Sequence, residues 1–150
     1  MKKTLVVLLG AVMALAMTIQ PASAAMNRIE LNSASLVNVE RKAVGLKTMT
    51  RQACLQRHAE VHAQRMAKAG KLYHRTPSAL RTVMKRCKLT SIGENIAVGR
   101  AMTSPQVVSA WMGSSGHRAN ILKKDFNRIG AAYHNRSNGQ RYWIQLYGRA

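Results

Sequence analysis

The apolar periodicity of this chain changes once, and that change narrows the folds open to it. Leu55, Ala59, His62 and Met66 recur at i, i+4, i+7 and i+11, which places them on one face of a helix that Gly70 ends. From Arg128 the period falls to two. Ile129, Ala131 and Tyr133 alternate, Asn138-Gly139 marks a tight turn, and Tyr142, Ile144 and Leu146 alternate again. Helices gathered ahead of an antiparallel hairpin describe an α+β domain with its helices packed on a small sheet.

Other stretches supply further helices. Ser33 and Ser35 can cap a first helix that carries Leu36, Val37, Ala43 and Val44 and ends at Gly45. Thr76-Pro77 has the cap-then-proline start, and Leu80, Val83, Met84 and Cys87 then form a helical stripe. Ser104-Pro105 repeats that start before Val107, Val108, Trp111 and Met112, and this helix breaks at Gly113. Glu94 falls in a loop or strand ahead of it.

The N-terminus reads as a leader. Lys2-Lys3, the apolar run from Leu5 to Ile19 and the small-residue site Ala22-Ser23-Ala24 have the layout of a secretory signal peptide over residues 1–24. Its apolar part is shorter than the roughly 20 residues a spanning helix needs. Taking 24 residues from 150 leaves 126, enough for one domain, read as a short segment at 25–35 and a folded unit at 36–148. No later run is long enough for a transmembrane anchor. The expected location is secreted, extracellular or cell-envelope, and in an oxidising compartment the chain's two cysteines, Cys54 and Cys87, favour a disulfide.

Charge sets a second boundary. The chain has 24 Lys and Arg against 5 Asp and Glu, a net charge of +19, and losing Lys2 and Lys3 with the leader leaves +17. A field of that sign attracts anionic surfaces and polymers such as cell-wall polyanions, lipid headgroups or nucleic acid. The aromatic residues are few and not interleaved with the charges, so the sequence offers no stacking platform and no sequence-specific nucleic-acid readout.

The densest group of chemistry-bearing residues runs from Gly93-Glu94-Asn95-Ile96 to Trp111-Met112-Gly113-Ser114-Ser115-Gly116-His117-Arg118-Ala119-Asn120-Ile121-Leu122. Glycines at 93, 113 and 116 allow sharp turns and positive φ that would bring the acid and the histidine together. His74 lies just past a helix stop and can also line a cleft. His58 and His62 have zinc-protease spacing, but Glu60 stands in the wrong place for HExxH, so this pair reads as structural or surface. His134, at a strand end, has no partner.

Taken in order, His74, Gly93-Glu94-Asn95-Ile96, Trp111-Met112, Ser114, Gly116-His117-Arg118-Ala119-Asn120-Ile121-Leu122, Ile129-Gly130 and Tyr142-Trp143-Ile144-Gln145 resemble the bacterial branch of the CAP superfamily. That superfamily comprises cysteine-rich secretory, antigen-five and pathogenesis-related proteins. The likeness spans about residues 36–148. It implies an α-β-α sandwich whose cleft holds two histidines and two acids, which bind a divalent metal in some members. Carried over, the histidines are His74 and His117 and the first acid is Glu94. The second acid stands three residues after the tryptophan, where this chain has Ser114.

Three classes of function follow. One is a secreted binding protein for a small apolar or lipid-like ligand, with His74 and His117 as ligands for zinc or another divalent cation. A second is a hydrolase, metal-assisted or serine-type, whose catalytic residues would be His74, Glu94 and His117 with Ser114 or Ser115. Gly113-Ser114-Ser115-Gly116 lacks the GxSxG spacing of a nucleophile elbow, which weakens the serine version. The third is a cationic protein that acts on anionic polymers through charge. With Ser114 in place of the second acid, the residues favour binding over catalysis.

Overall fold

The computed structural model describes residues 27–150, so the signal peptide read at 1–24 lies outside the described residues. Its elements, in order, are α1 (Arg28–Ala43), β1 (Thr50–Arg51), α2 (Ala53–Ala69), α3 (Pro77–Arg86), β2 (Ser91–Arg100), α4 (Ser104–Gly113), α5 (Ser115–Ile121), β3 (Arg128–Asn135) and β4 (Gln140–Arg149). The strands form one sheet in the order β1-β3-β4-β2. β2, β4 and β3 run antiparallel, while the two-residue β1 lies parallel to β3 at the far edge, so the sheet is mixed.

Helices cover both faces of this sheet, which makes the α-β-α sandwich. Alternate residues of the C-terminal hairpin feed opposite cores. Ala131, Trp143 and Tyr147 pack with Ala34, Val37, Val107, Trp111 and Ile121 from α1, α4 and α5. Ala132, Tyr142, Ile144 and Leu146 pack with Leu55, Ala59, Ala63, Met66 and Val83 from α2 and α3. The alternation of Tyr142, Ile144 and Leu146 therefore identifies one of two buried faces. At Gly130 the strand meets the start of α2 so closely that a Cβ would lie 2.5 Å from the Gln56 nitrogen, so only glycine fits there.

The first helix begins earlier than its serines suggested, inside the stretch set apart at 25–35. Asn27 caps it, accepting from the Ile29 and Glu30 nitrogens at 3.0 Å, and Glu30 Oε2 accepts in return from the Asn27 nitrogen at 2.8 Å. Ser33 and Ser35 are not caps. Their hydroxyls donate to the carbonyls of Glu30 and Leu31 one turn back. α2, α3 and the hairpin begin and turn where the sequence placed them, with Gly70 left-handed at φ 63° and Gly139 at φ 81°.

Cys54 and Cys87 form a disulfide that ties the first turn of α2 to the end of α3 across 33 residues. Closing a loop of that size in the unfolded chain corresponds to about 3 to 4 kcal/mol in the chain-entropy account. Among the described residues no helix is long and apolar enough to cross a membrane.

Candidate functional site

β2 is an edge strand, and its alternation sends Glu94 and Asn95 to opposite faces. Glu94 faces the α2–α3 side. Its Oε1 lies 2.9 Å from His74 Nδ1 and accepts from the Arg75 backbone nitrogen at 3.0 Å, and its Oε2 accepts from Arg75 Nη1 at 2.7 Å. The Glu94 side chain is 2% exposed and that of His74 is 55% exposed, so a buried acid orients an imidazole at the surface. With Nδ1–H donated to the carboxylate, His74 Nε2 keeps its lone pair for a ligand.

Arg75 completes the arrangement. Its guanidinium also donates to the carbonyl of His58 on α2, and burial lowers its pKa while Glu94 opposes that shift. An ion pair this deep leaves the Glu94 carboxylate neutralised and its lone pairs largely used.

On the other face, Asn95 and Asn120 join β2 to α5. Asn95 Nδ2 donates to the carbonyl of His117 at 3.0 Å, and Asn120 Nδ2 donates to Asn95 Oδ1 at 2.9 Å and to the Glu94 carbonyl at 3.3 Å. Gly93 makes room for this contact, since a Cβ there would meet Asn120 Oδ1 and the Phe126 ring at 2.9 Å. Trp111 Nε1 donates to the Ile96 carbonyl at 3.1 Å and fixes α4 on the same strand.

The positive φ expected at three glycines is absent. Gly93, Gly113 and Gly116 are not among the glycines with positive φ, and a Cβ at 113 or 116 would meet nothing within 4 Å. Gly113 closes α4 and Gly116 lies inside α5, so His117 sits on a short helix and not on a loop past a helix stop.

Arg41 supplies a support that the sequence did not reveal. Fully buried in α1, it donates Nε to the Lys47 carbonyl, Nη1 to those of Ile121 at 2.7 Å and Lys123 at 2.9 Å, and Nη2 to that of Phe126 at 2.9 Å. Two of these carbonyls lie at or just past the end of α5, where helix carbonyls lack intrahelical donors. Glu30 is a second buried group the sequence left unread. It accepts from the Tyr133 nitrogen at 3.3 Å and from Gln56 Nε2 at 3.5 Å, and burial raises its pKa.

His117 has its pKa lowered, first by burial and then by the charge of His74, so the two imidazoles are near enough to sense one another. Among the described residues, however, His74, Glu94 and His117 do not form a three-ligand cluster within 4.8 Å. Cys54, His58 and Cys87 do come that close, but both sulfurs are spent in the disulfide and offer no thiolate. His62 is buried with Nε2 at 2.9 Å from the Tyr73 carbonyl, which makes it structural.

Ser114 links α4 to α5 as the cap between them. Among the described residues no hydrogen bond joins a hydroxyl of Ser114 or Ser115 to His74 or His117. Glu94 stands behind His74 and cannot turn outward without breaking its pair with Arg75.

A separate groove of about 490 Å³ opens between the starts of α1 and α4. Ile29, Leu31 and Pro105 give it an apolar lining, and Arg28 and Arg141 also line it.

Comparison with known proteins places the fold. The family model described as CAP, cysteine-rich secretory protein family, matches residues 34–147. The Bacillus subtilis protein YkwD is 34% identical over 120 residues, covering 77% of this chain and 46% of YkwD, so the chain spans less than half of that relative's length. An outer surface protein from Borrelia burgdorferi superposes with a TM-score of 0.69 at 19% identity, over 77% of this chain and 88% of its own. An extracellular protein containing a SCP domain from Bacillus anthracis also gives 0.69, at 22% identity, over 81% of this chain and 40% of its own.

Proposed function

The chain belongs to the cysteine-rich secretory protein (CAP) family, and from that premise we propose that it is an exported binding protein for a small apolar or lipid-like ligand. The α1–α4 groove carries this reading. Its apolar lining is accompanied by two arginines and no carboxylate, a combination suited to an amphiphile with an apolar tail and an anionic head. Arg141 is held in place by its bonds to the Met102 carbonyl and Asn135 Oδ1 and by the Tyr133 ring 4.8 Å away.

Calorimetric titration with dodecanoate tests it. Ser35 is exposed and lines the groove, so Ser35→Trp fills the space without removing core. Wild type should bind and Ser35→Trp should bind at least about tenfold more weakly, a loss of about 1.4 kcal/mol. Absence of binding by the wild type, or equal binding by both, would overturn the reading.

The hydrogen bond between His74 and Glu94 supports a second reading, a divalent-cation site at His74 and His117. A bound zinc ion would supply Lewis acidity in the cleft. His74 presents a tautomer fixed by its bond to Glu94, and burial holds His117 toward its neutral, metal-binding form. Zinc titrated into wild type and into His74→Ala/His117→Ala should release heat only in the wild type; equal heats exclude the site. Catalysis is the less supported reading, because Glu94 is committed to Arg75 and, among the described residues, no hydroxyl is paired with His74 or His117.

A further inference from the structure

A second cavity, of about 430 Å³, opens between α2, α3 and the loop joining them. Arg57, His58 and Arg65 from α2, Arg75 from the loop, and Thr82 and Arg86 from α3 line it. Helical spacing builds this surface. Residues 57 and 65 lie two turns apart on α2, and 82 and 86 lie one turn apart on α3, so each pair shares a face of its helix.

Of the four arginines only Arg75 has an acidic partner, Glu94. Among the described residues no carboxylate comes within ion-pair distance of Arg57, Arg65 or Arg86, and none lines the cavity. Three unneutralised guanidinium groups around one concave space repel one another, and a bound anion relieves that cost. The potential inside is already positive: the His58 imidazole is pushed down first by burial and then by Arg75, Arg86 and Arg57.

We infer that this cavity is an anion site that takes a phosphate group through the guanidinium forks of Arg57, Arg65 and Arg86. Planar forks bind tetrahedral oxyanions with paired N–H donors, and three cations match a phosphate or polyphosphate charge better than a single carboxylate. The Thr82 hydroxyl already donates to the Ser78 carbonyl at 3.0 Å, so recognition falls to the arginines. Arg75, committed to Glu94, adds field without a free fork.

The test separates this site from the chain's overall charge. Arg57→Gln/Arg65→Gln/Arg86→Gln is compared with Lys42→Gln/Lys47→Gln/Lys124→Gln, which removes the same charge from exposed positions on α1 and in loops. Circular dichroism confirms that both variants keep the fold. Inorganic pyrophosphate is titrated by calorimetry at low salt. The arginine variant should lose about tenfold or more in affinity and the lysine variant less than about threefold. Equal losses in the two variants, or no binding by the wild type, would overturn the site. A parallel arm measures binding to phosphatidylglycerol vesicles. If the arginine variant alone also loses the vesicles, the site takes phosphate from a lipid headgroup. If it loses pyrophosphate but keeps the vesicles, the site takes soluble or polymer-borne phosphate.

Discussion

Asn95, in the edge strand, donates its side-chain amide to the main-chain carbonyl of His117 at 3.0 Å, so the sheet itself holds the short helix that carries the second cleft histidine. The same amide nitrogen reaches the Tyr147 hydroxyl at 3.2 Å, and its oxygen accepts from Asn120 at 2.9 Å. The residue is fully buried with both ends of its amide in use. Position in the cleft therefore depends on a polar side chain that faces away from it.

Replacing Asn95 by alanine leaves the buried Tyr147 hydroxyl and two part-buried groups, the His117 carbonyl and the Asn120 amide, without this partner. Unfolding by urea should show a loss of about 2 to 4 kcal/mol, and the amide resonances of residues 115–121 should move. A loss below about 0.5 kcal/mol would mean that α5 is held by its other contacts.

Arg75 and Glu94 form a buried pair 2.7 Å apart, so removing one partner strands the other. Arg75→Met should cost about 3 kcal/mol or more, whereas Arg75→Met/Glu94→Gln should cost less than the sum of the single changes. Simple additivity in that cycle would show that the two side chains are not energetically coupled.

Arg41 satisfies four carbonyls from a fully buried position and has no carboxylate partner among the described residues. Arg41→Met should destabilise by about 3 kcal/mol, and Arg41→Lys should recover part of that, because an ammonium brings three donors without the planar fork. Hydrogen exchange read in α5 should accelerate in both. Unchanged protection there would detach Arg41 from the placement of His117.

His58, His62 and His117 all have lowered pKa values, in each case first by burial. The unfolded chain therefore binds protons more readily than the folded one. Stability from these groups is complete above the ordinary histidine value near 6.5 and falls as pH drops from there toward their folded values. Thermal melts should show a falling Tm below about pH 6.5, and His117→Gln should flatten part of that slope. Glu30, raised by burial, acts in the opposite sense, adding stability as pH falls through its folded value. A Tm that rises between pH 7 and 6 would contradict the histidine assignment.

The elements that repeat a simple rule were legible in the sequence. The α2 stripe and Gly70, the Thr76-Pro77 start, the Asn138-Gly139 turn and the cysteine pair each depend on neighbours a few residues away or on two residues alone. β2 was not resolved as a strand because Gly93, Glu94, Asn95 and Ile96 are all buried, with helices on both faces, so its pattern of two disappears. α5 escaped because only Ile121 of its residues is buried, too little to make an apolar stripe.

Residue type and order in the sequence picked out His74, Glu94, Ser114 and His117 as candidate members of a cleft, since ordered motifs survive without knowledge of distance. Tertiary structure alone decided what those members do to one another. Arg75 takes up the Glu94 carboxylate, Asn95 positions His117, and Arg41 ties down the end of α5 through carbonyls 80 or more residues away in the chain. A polar side chain in a sequence reads as solvated until the fold brings it a partner. The burial that makes these contacts strong is a property of the packed sheet and its two helical layers.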